Sequence, residues 1–383
     1  MSTLATLDES SRTTSIALKE TSSRTHQKEP LRHRRRETNH HQAASGKKSD
    51  QSEPAQHIAV LDAWRGAAVV LLMIGHFFPI YRLDCGAFGV ELFFVLSGFL
   101  MGRILFLKQT PLKVFYQRRI SRIFPAAYAF LFAMLAWQWI AGTDAGPSFT
   151  ATASCFLFFS NYVVAINPHT DLGIPAGHFW SLCVEEHSYI YLSLLSVLHR
   201  RLEIKPLWLI GSSIAFCFVS AFIAGGSFNG DPYQVYWRTD CRAASIFFGA
   251  AAACLAGKGF GSKEKYLKIP AIAWGSLAVC FGAFFRLQFM PEFLKHSLAT
   301  ALLATGLLLI AKHGKGNYWS CPPLVWIGTI SFSLYLWQQP FYIAVHNGHL
   351  HPGFAVLGAL AAGVLSYWLI EKPARSWINR KLA

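Results

Sequence analysis

Charge is scarce in this 383-residue chain: Asp, Glu, Lys and Arg make up 14% of it, against 53% hydrophobic residues and 15% aromatics. Soluble domains carry about a quarter charged residues, so a water-facing surface is excluded along most of the length. The eight cysteines (85, 155, 183, 217, 241, 254, 280 and 321) show no C-x-x-C spacing and fall mostly in apolar stretches. That argues against a disulfide framework or a zinc site and for small buried hydrophobes. Residues 1–57 lack the apolar core of a signal peptide, and their Ser, Thr, His, Lys, Arg and Gln with almost no large apolar residues predict a disordered cytoplasmic tail. Within it, Arg32-His33-Arg34-Arg35-Arg36 reads as a solvated run, with contact to anionic headgroups as the alternative. No internal repeat stands out, which weighs against an inverted-repeat transporter.

What the chain does have is long apolar runs. A spanning helix needs roughly 20 mainly apolar residues. Candidate spans lie at about 58–80, 86–107, 121–141, 180–198, 207–225, 241–256, 269–287, 294–311, 327–346 and 353–371. A further stretch, about 149–166, is treated as re-entrant or interfacial, and loop charge decides it. With the N-terminus inside and 149–166 uncounted, the inside connections and C-terminal tail hold eighteen Lys and Arg. These fall in 108–122, 200–205, 258–268, 312–315 and 372–381. The outside connections and helix ends hold five: Arg82, Arg238, Arg242, Arg286 and Lys295. That asymmetry obeys the positive-inside rule, and counting 149–166 as a span would break it. The net charge of +15 is therefore a mark of orientation rather than of nucleic-acid binding. The predicted fold is all-α, a polytopic bundle of about ten transmembrane helices with both termini cytoplasmic. It has a tail over 1–57, a membrane domain over 58–377 and a short cytoplasmic end over 378–383.

A charge inside hydrocarbon costs about 2.5–3.5 kcal/mol on insertion scales, so the polar groups within these spans mark function. In the first span Asp62, Arg65 and His76 share one helical face, with Arg65 and His76 about 16 Å apart along the axis. Asp62–Arg65 reads equally as a plain i,i+3 ion pair. The second span carries Glu91, a partner for an arginine or a member of the site, and Ser97 beside glycines that permit close helix approach. In the fourth span Ser181, Glu185, Ser188 and Tyr189 fall on one face, with Glu186 turned about 100° away. Glu185 and His76 are expected at similar depth, an arrangement suited to general base catalysis or to a proton relay in a transporter. Arg118, Arg119 and Arg122 form a cytoplasmic basic cluster, topogenic on its own and phosphate-binding beside a buried His/Glu pair. Trp180 and Tyr335 read as girdle aromatics.

Together these segments resemble the acyltransferase 3 family of integral membrane O-acyltransferases. The resemblance rests on Leu61-Asp62-Ala63-Trp64-Arg65-Gly66 with His76, and on Gly89-Val90-Glu91 through Ser97-Gly98-Phe99. It continues in Arg118-Arg119-Ile-Ser-Arg122-Ile-Phe-Pro125, His178-Phe-Trp180-Ser181 through Glu185-Glu186, Ser331-Phe-Ser333-Leu-Tyr335-Leu-Trp337 and Glu371-Lys-Pro373-Ala-Arg375. The match covers roughly 58–377. It implies ten or so helices in a bacterial cytoplasmic membrane, acyl-CoA as cytoplasmic donor with no bound cofactor or metal, and an acceptor hydroxyl on a lipid-linked or cell-surface glycan. Acetyl is the expected group. The family often has histidine after the Leu-Tyr-Leu-Trp run, where this chain has Gln338, and Ala63-Trp64 replaces the commoner Gly-Leu. Some relatives carry an esterase-like domain after the last helix; the end at Ala383 predicts the form without it.

On this reading Arg118, Arg119 and Arg122 hold the donor phosphates and Arg65 guides the donor deeper. His76, oriented by Glu185, deprotonates the acceptor hydroxyl, and Ser97, Ser181 and His76 are possible acyl carriers. Asp62, Glu91, Trp180 and Tyr335 are supporting residues. The rival reading is a proton-coupled transporter of a glycolipid or anionic substrate; a non-catalytic scaffold in glycan assembly is weaker.

Overall fold

Proline opens four of the helices and glycine decides how close others come. In the computed structural model, which describes residues 59–81, 83–141, 149–167, 172–224, 232–257, 292–313 and 321–382, the regular structure is helical and no strand forms among the described residues. The helices are α1 (Ala59–Phe77), α2 (Cys85–Gly102, extended by a π-helical turn Arg103–Leu107), α3 (Leu112–Ala141), α4 (Phe149–Phe156), α5 (Ser160–Ile166) and α6 (Phe179–Leu202). They continue as α7 (Pro206–Ala224), α8 (Pro232–Trp237), α9 (Thr239–Arg242), α10 (Ala244–Gly257) and α11 (Glu292–His313). The last are α12 (Pro322–His346), α13 (Pro352–Ser366, followed by a π turn Tyr367–Glu371) and α14 (Lys372–Leu382). Pro206, Pro232, Pro322 and Pro352 stand at first helical positions, where the missing N–H is unpaired anyway. Glu203, at φ 54, closes α6 in the left-handed region.

Five stretches are long and apolar enough to cross a membrane: Cys85–Leu107, Leu112–Ala141, Pro206–Ala224, Thr239–Gly257 and Pro352–Lys381. Trp137, Trp139, Phe216, Phe222, Leu357 and Leu365 are exposed on three of them, an apolar exterior suited to lipid. The helices α1, α6, α11 and α12 are of comparable length but fall outside that set; α1 and α6 carry ionisable side chains within their runs. The 149–166 stretch is not one helix. It breaks into α4 and α5, of 8 and 7 residues, around Phe158 at φ 57. Neither piece, at roughly 1.5 Å per residue, reaches across about 30 Å of hydrocarbon. The expected span 269–287, the tail 1–57, Arg82 and the 258–268 connection lie outside the described residues.

Two crossings bring the polar helices together. A Cβ on Gly66 would strike the carbonyl of Leu324, and one on Gly328 the carbonyl of Asp62, so α1 and α12 meet backbone to backbone. Gly98 and Gly249 do the same for α2 and α10, against Ile246 and Val95. As a result α2 sits in the interior, flanked by α1 and α10, and its Phe94, Val95, Leu96 and Phe99 are buried.

Candidate functional site

Two cavities lie among α1, α2, α6 and α12, the smaller bounded also by α3 and the larger by α5 and α8, and Tyr335 of α12 lines both, together with Val90. One, of about 540 Å³, has His76, Trp180, Tyr236, Gln339 and Tyr342 in its wall. The other, of about 100 Å³, is lined by Arg65, Arg119, Arg122, Ser97, Ser181 and Glu185. Tyr335 donates a hydrogen bond to the backbone carbonyl of His178 at 2.7 Å and lies 2.5 Å from Ser181 Oγ, which fixes its ring between the two spaces.

His76 stands one residue before the end of α1, level with the start of α2, where a Cβ on Gly86 would meet the imidazole edge. Its Nδ1 lies 2.8 Å from Gln338 Oε1, and the ring centroid is 4.5 Å from that of Tyr342. Gln338 Nε2 is within 3.4 Å of Gln339 Oε1. This orientation turns the Gln338 carbonyl oxygen to the imidazole, so Nδ1 carries the proton and Nε2 keeps its lone pair.

Glu185 is elsewhere. It lines the smaller cavity with Ser97, which lies eleven residues, roughly 16 Å, further along α2 than Gly86. The expected pairing of Glu185 with His76 is therefore corrected: the helix register leaves the two carboxylates of α6 a full level below the imidazole. Their partner is Arg119. Arg119 Nη2 lies 2.8 Å from Glu186 Oε1 and 3.7 Å from Glu185 Oε2, and its guanidinium carbon sits 3.1 Å from the Tyr189 ring centroid. Tyr189 in turn bonds Ser97. Arg119 is thus held by two carboxylates rather than left for donor phosphates. Arg118 is exposed and lines neither cavity. Arg122 and Arg65 remain in the wall, Arg65 lying 3.6 Å from Asp62 as the i,i+3 ion pair.

Glu91 belongs to a separate cluster. It is fully buried against Arg242, with Ser245 Oγ donating to it at 2.6 Å, and His296 Nδ1 lies 3.3 Å away. A buried carboxylate needs such partners, and this one clasps α2, α9, α10 and α11. The sequence signal was Arg242 itself, an arginine at the start of an apolar helix.

Sequence reasoning missed Gln338, the buried partner of His76, and Tyr236, a cavity residue. Gln338 stood out only as a departure from a motif, and Tyr236 lies in the six-residue α8, which carries no apolar periodicity.

Residues 58–370 match a family described as an acyltransferase domain, the acyltransferase 3 family. The chain belongs to this family. Among its relatives, YrhL of Bacillus subtilis (strain 168), provisionally named a peptidoglycan O-acetyltransferase, is 28% identical over 84% of this chain and 55% of its own length. The O-acetyltransferase OatA of Staphylococcus aureus (strain NCTC 8325 / PS 47) is 28% identical over 84% of this chain and 57% of its own. This acyltransferase-family chain therefore spans just over half the length of the curated relatives it matches. No solved structure gives a significant match. With regular structure that is helical among the described residues, and helices able to cross a bilayer, it is a membrane member of the family.

Proposed function

We propose that this family member moves an acyl group, acetyl in the first instance, from cytoplasmic acyl-CoA to a hydroxyl of a cell-surface or lipid-linked glycan. The observation that carries the reading is the meeting of two cavities at Tyr335, guanidinium-lined on one side and imidazole-lined on the other. Arg122 and Arg65 offer forked donors to the CoA phosphates, and the narrow space beside them suits a pantetheine arm. In the larger cavity His76 Nε2 takes the proton of the acceptor hydroxyl as its oxygen attacks the thioester carbonyl. The C–S bond breaks, and the imidazolium returns the proton to the CoA thiolate. Family membership and the relatives' names, both O-acetyltransferases, support acetyl transfer.

In the remaining parts of the reading, orientation rests on loop charge, and the bacterial cytoplasmic membrane, the donor and the acceptor on the family resemblance. Ten helices with both termini inside a bacterial cytoplasmic membrane put the arginine-lined cavity on the CoA side and His76 on the glycan side. The partners are then the bilayer, acyl-CoA and the glycan, with no nucleic acid.

The test supplies radiolabelled acetyl-CoA to permeabilised membranes holding the wild type, His76→Ala or Arg122→Ala at matched expression. Label entering glycan with the wild type and lost with His76→Ala supports the reading. A glycolipid that crosses the membrane unmodified, with no label transferred, would replace it by a transporter.

A further inference from the structure

The closing run Glu371-Lys372-Pro373-Ala374-Arg375 takes no part in the chemistry described so far, yet its helix is fastened beside the smaller cavity at two points. Glu371 ends the π turn after α13 and is buried, and its Oε2 accepts from Ser333 Oγ of α12 at 2.7 Å. Two turns on, Asn379 Oδ1 of α14 lies 3.1 Å from Ser121 Oγ of α3, itself fully buried. Both anchors adjoin the cavity wall. Ser121 precedes Arg122, and Ser333 falls between Ser331 and Tyr335 in the chain; Arg122, Ser331 and Tyr335 all line that cavity.

Arg375 lies midway between the anchors, four residues from each, so helical spacing sets the three along one side of the segment. Glu371, Arg375 and Arg122 are each within electrostatic reach of the other two. Asp62 is also in reach of Arg375, and it pairs with Arg65 at 3.6 Å. Two guanidinium groups therefore share the buried Glu371. An anion bound beside them relieves their mutual repulsion, and a phosphate suits the guanidinium fork at two points.

The two arginines differ in position. Arg122 is in the cavity wall, while Arg375 is solvent-exposed and outside it. Coenzyme A presents phosphate at two places: a diphosphate within its chain, and a 3′-phosphate on the ribose at the end remote from the thioester. With the pantetheine arm in the smaller cavity, Arg122 meets the diphosphate and Arg375 the outlying 3′-phosphate.

We propose that Arg375, held by the Glu371 and Asn379 anchors, binds the 3′-phosphate of acetyl-CoA and makes the protein discriminate against 3′-dephospho donors. This rests on the acyltransferase reading and names a specificity residue of its donor site.

Calorimetric titration of acetyl-CoA and 3′-dephospho-acetyl-CoA onto the purified full-length protein in neutral-lipid nanodiscs tests it. The wild type should bind acetyl-CoA about tenfold more tightly, the size of one charged hydrogen-bonded contact. Arg375→Gln should lose that factor for acetyl-CoA and bind the dephospho donor as the wild type does. Arg375→Lys, which keeps the charge without the fork, should fall between. Lys372→Gln removes a charge from the same helix, where the ammonium lies 3.8 Å from the Trp368 ring centroid, and should leave both affinities unchanged. A wild type that binds the two donors equally, or an Arg375→Gln that weakens both alike or neither, would overturn the assignment. Label transfer from acetyl-CoA by the same wild-type preparation separates the two ideas. Transfer without this discrimination sinks the role of Arg375 alone, and absent transfer sinks the acyltransferase reading itself.

Discussion

His76 Nδ1 and Gln338 Oε1 lie 2.8 Å apart, joining the end of α1 to the middle of α12. The amide accepts from the imidazole N–H but cannot take its proton, so Gln338 orients the base and leaves proton transfer to Nε2. Removing the base should cost about 10²–10⁴ in rate for His76→Ala. Losing one orienting bond, worth about 1 kcal/mol, should cost Gln338→Leu roughly fivefold to tenfold in kcat with both KM values kept. The two act through one group, so the double variant should be no slower than His76→Ala. Additive losses in initial rates would mean that Gln338 acts elsewhere.

Arg119 and Arg122 sit one turn apart on α3 and should fail differently. Arg119→Ala leaves the partly buried Glu185 and Glu186 without their cation, a loss below the roughly 3–5 kcal/mol of a fully buried pair. The detergent-solubilised protein should melt earlier, and Arg119→Met with both glutamates changed to Gln should recover much of that. Arg122→Ala should instead raise the KM for acetyl-CoA with melting unchanged. A lower melting temperature for Arg122→Ala, with an unaltered KM, would remove it from the donor site.

The α1–α12 crossing is a third point of failure. Val at Gly328 would drive its side chain into the Asp62 carbonyl, where only backbone movement makes room. Since that crossing holds Arg65 and His76 against Ser331, Tyr335 and Gln338, Gly328→Val should lose both folded yield and transfer. Gly211→Val, with open space around its Cβ, serves as the tolerant control. Size-exclusion profiles of the two proteins from matched cells decide it; equal profiles would show that the crossing yields.

The long apolar helices among the described residues were legible because hydrophobic runs are local signals. So was the shared face of Asp62, Arg65 and His76, a matter of 100° per residue. Depth was not. Periodicity fixes which way Glu185 points around α6, but not how far α6 is sunk relative to α1, and that offset separates it from His76. Pairing was hidden for the same reason. Arg119 and Glu186 are 67 residues apart, and Gln338 is 262 residues from His76. A helix reports its own faces; which face meets which is decided by crossings such as Gly66 on Leu324.

Tyr335 lines both cavities, and its ring and hydroxyl can be separated by mutation. Tyr335→Phe removes the bonds to Ser181 and the His178 carbonyl but keeps the ring in the gap. It should leave the coupling of donor to acceptor intact, with transfer slowed a few fold as one or two bonds of about 1 kcal/mol are lost. Tyr335→Ala widens the gap between the cavities and admits water to the thioester where only the acceptor hydroxyl should reach it. Acetyl-CoA should then be hydrolysed to acetate and CoA with no acceptor present, while label in glycan falls. Free thiol release measured without acceptor gives the comparison. If Tyr335→Ala releases no more thiol than the wild type, Tyr335 is not the partition, and the acyl group crosses by another path.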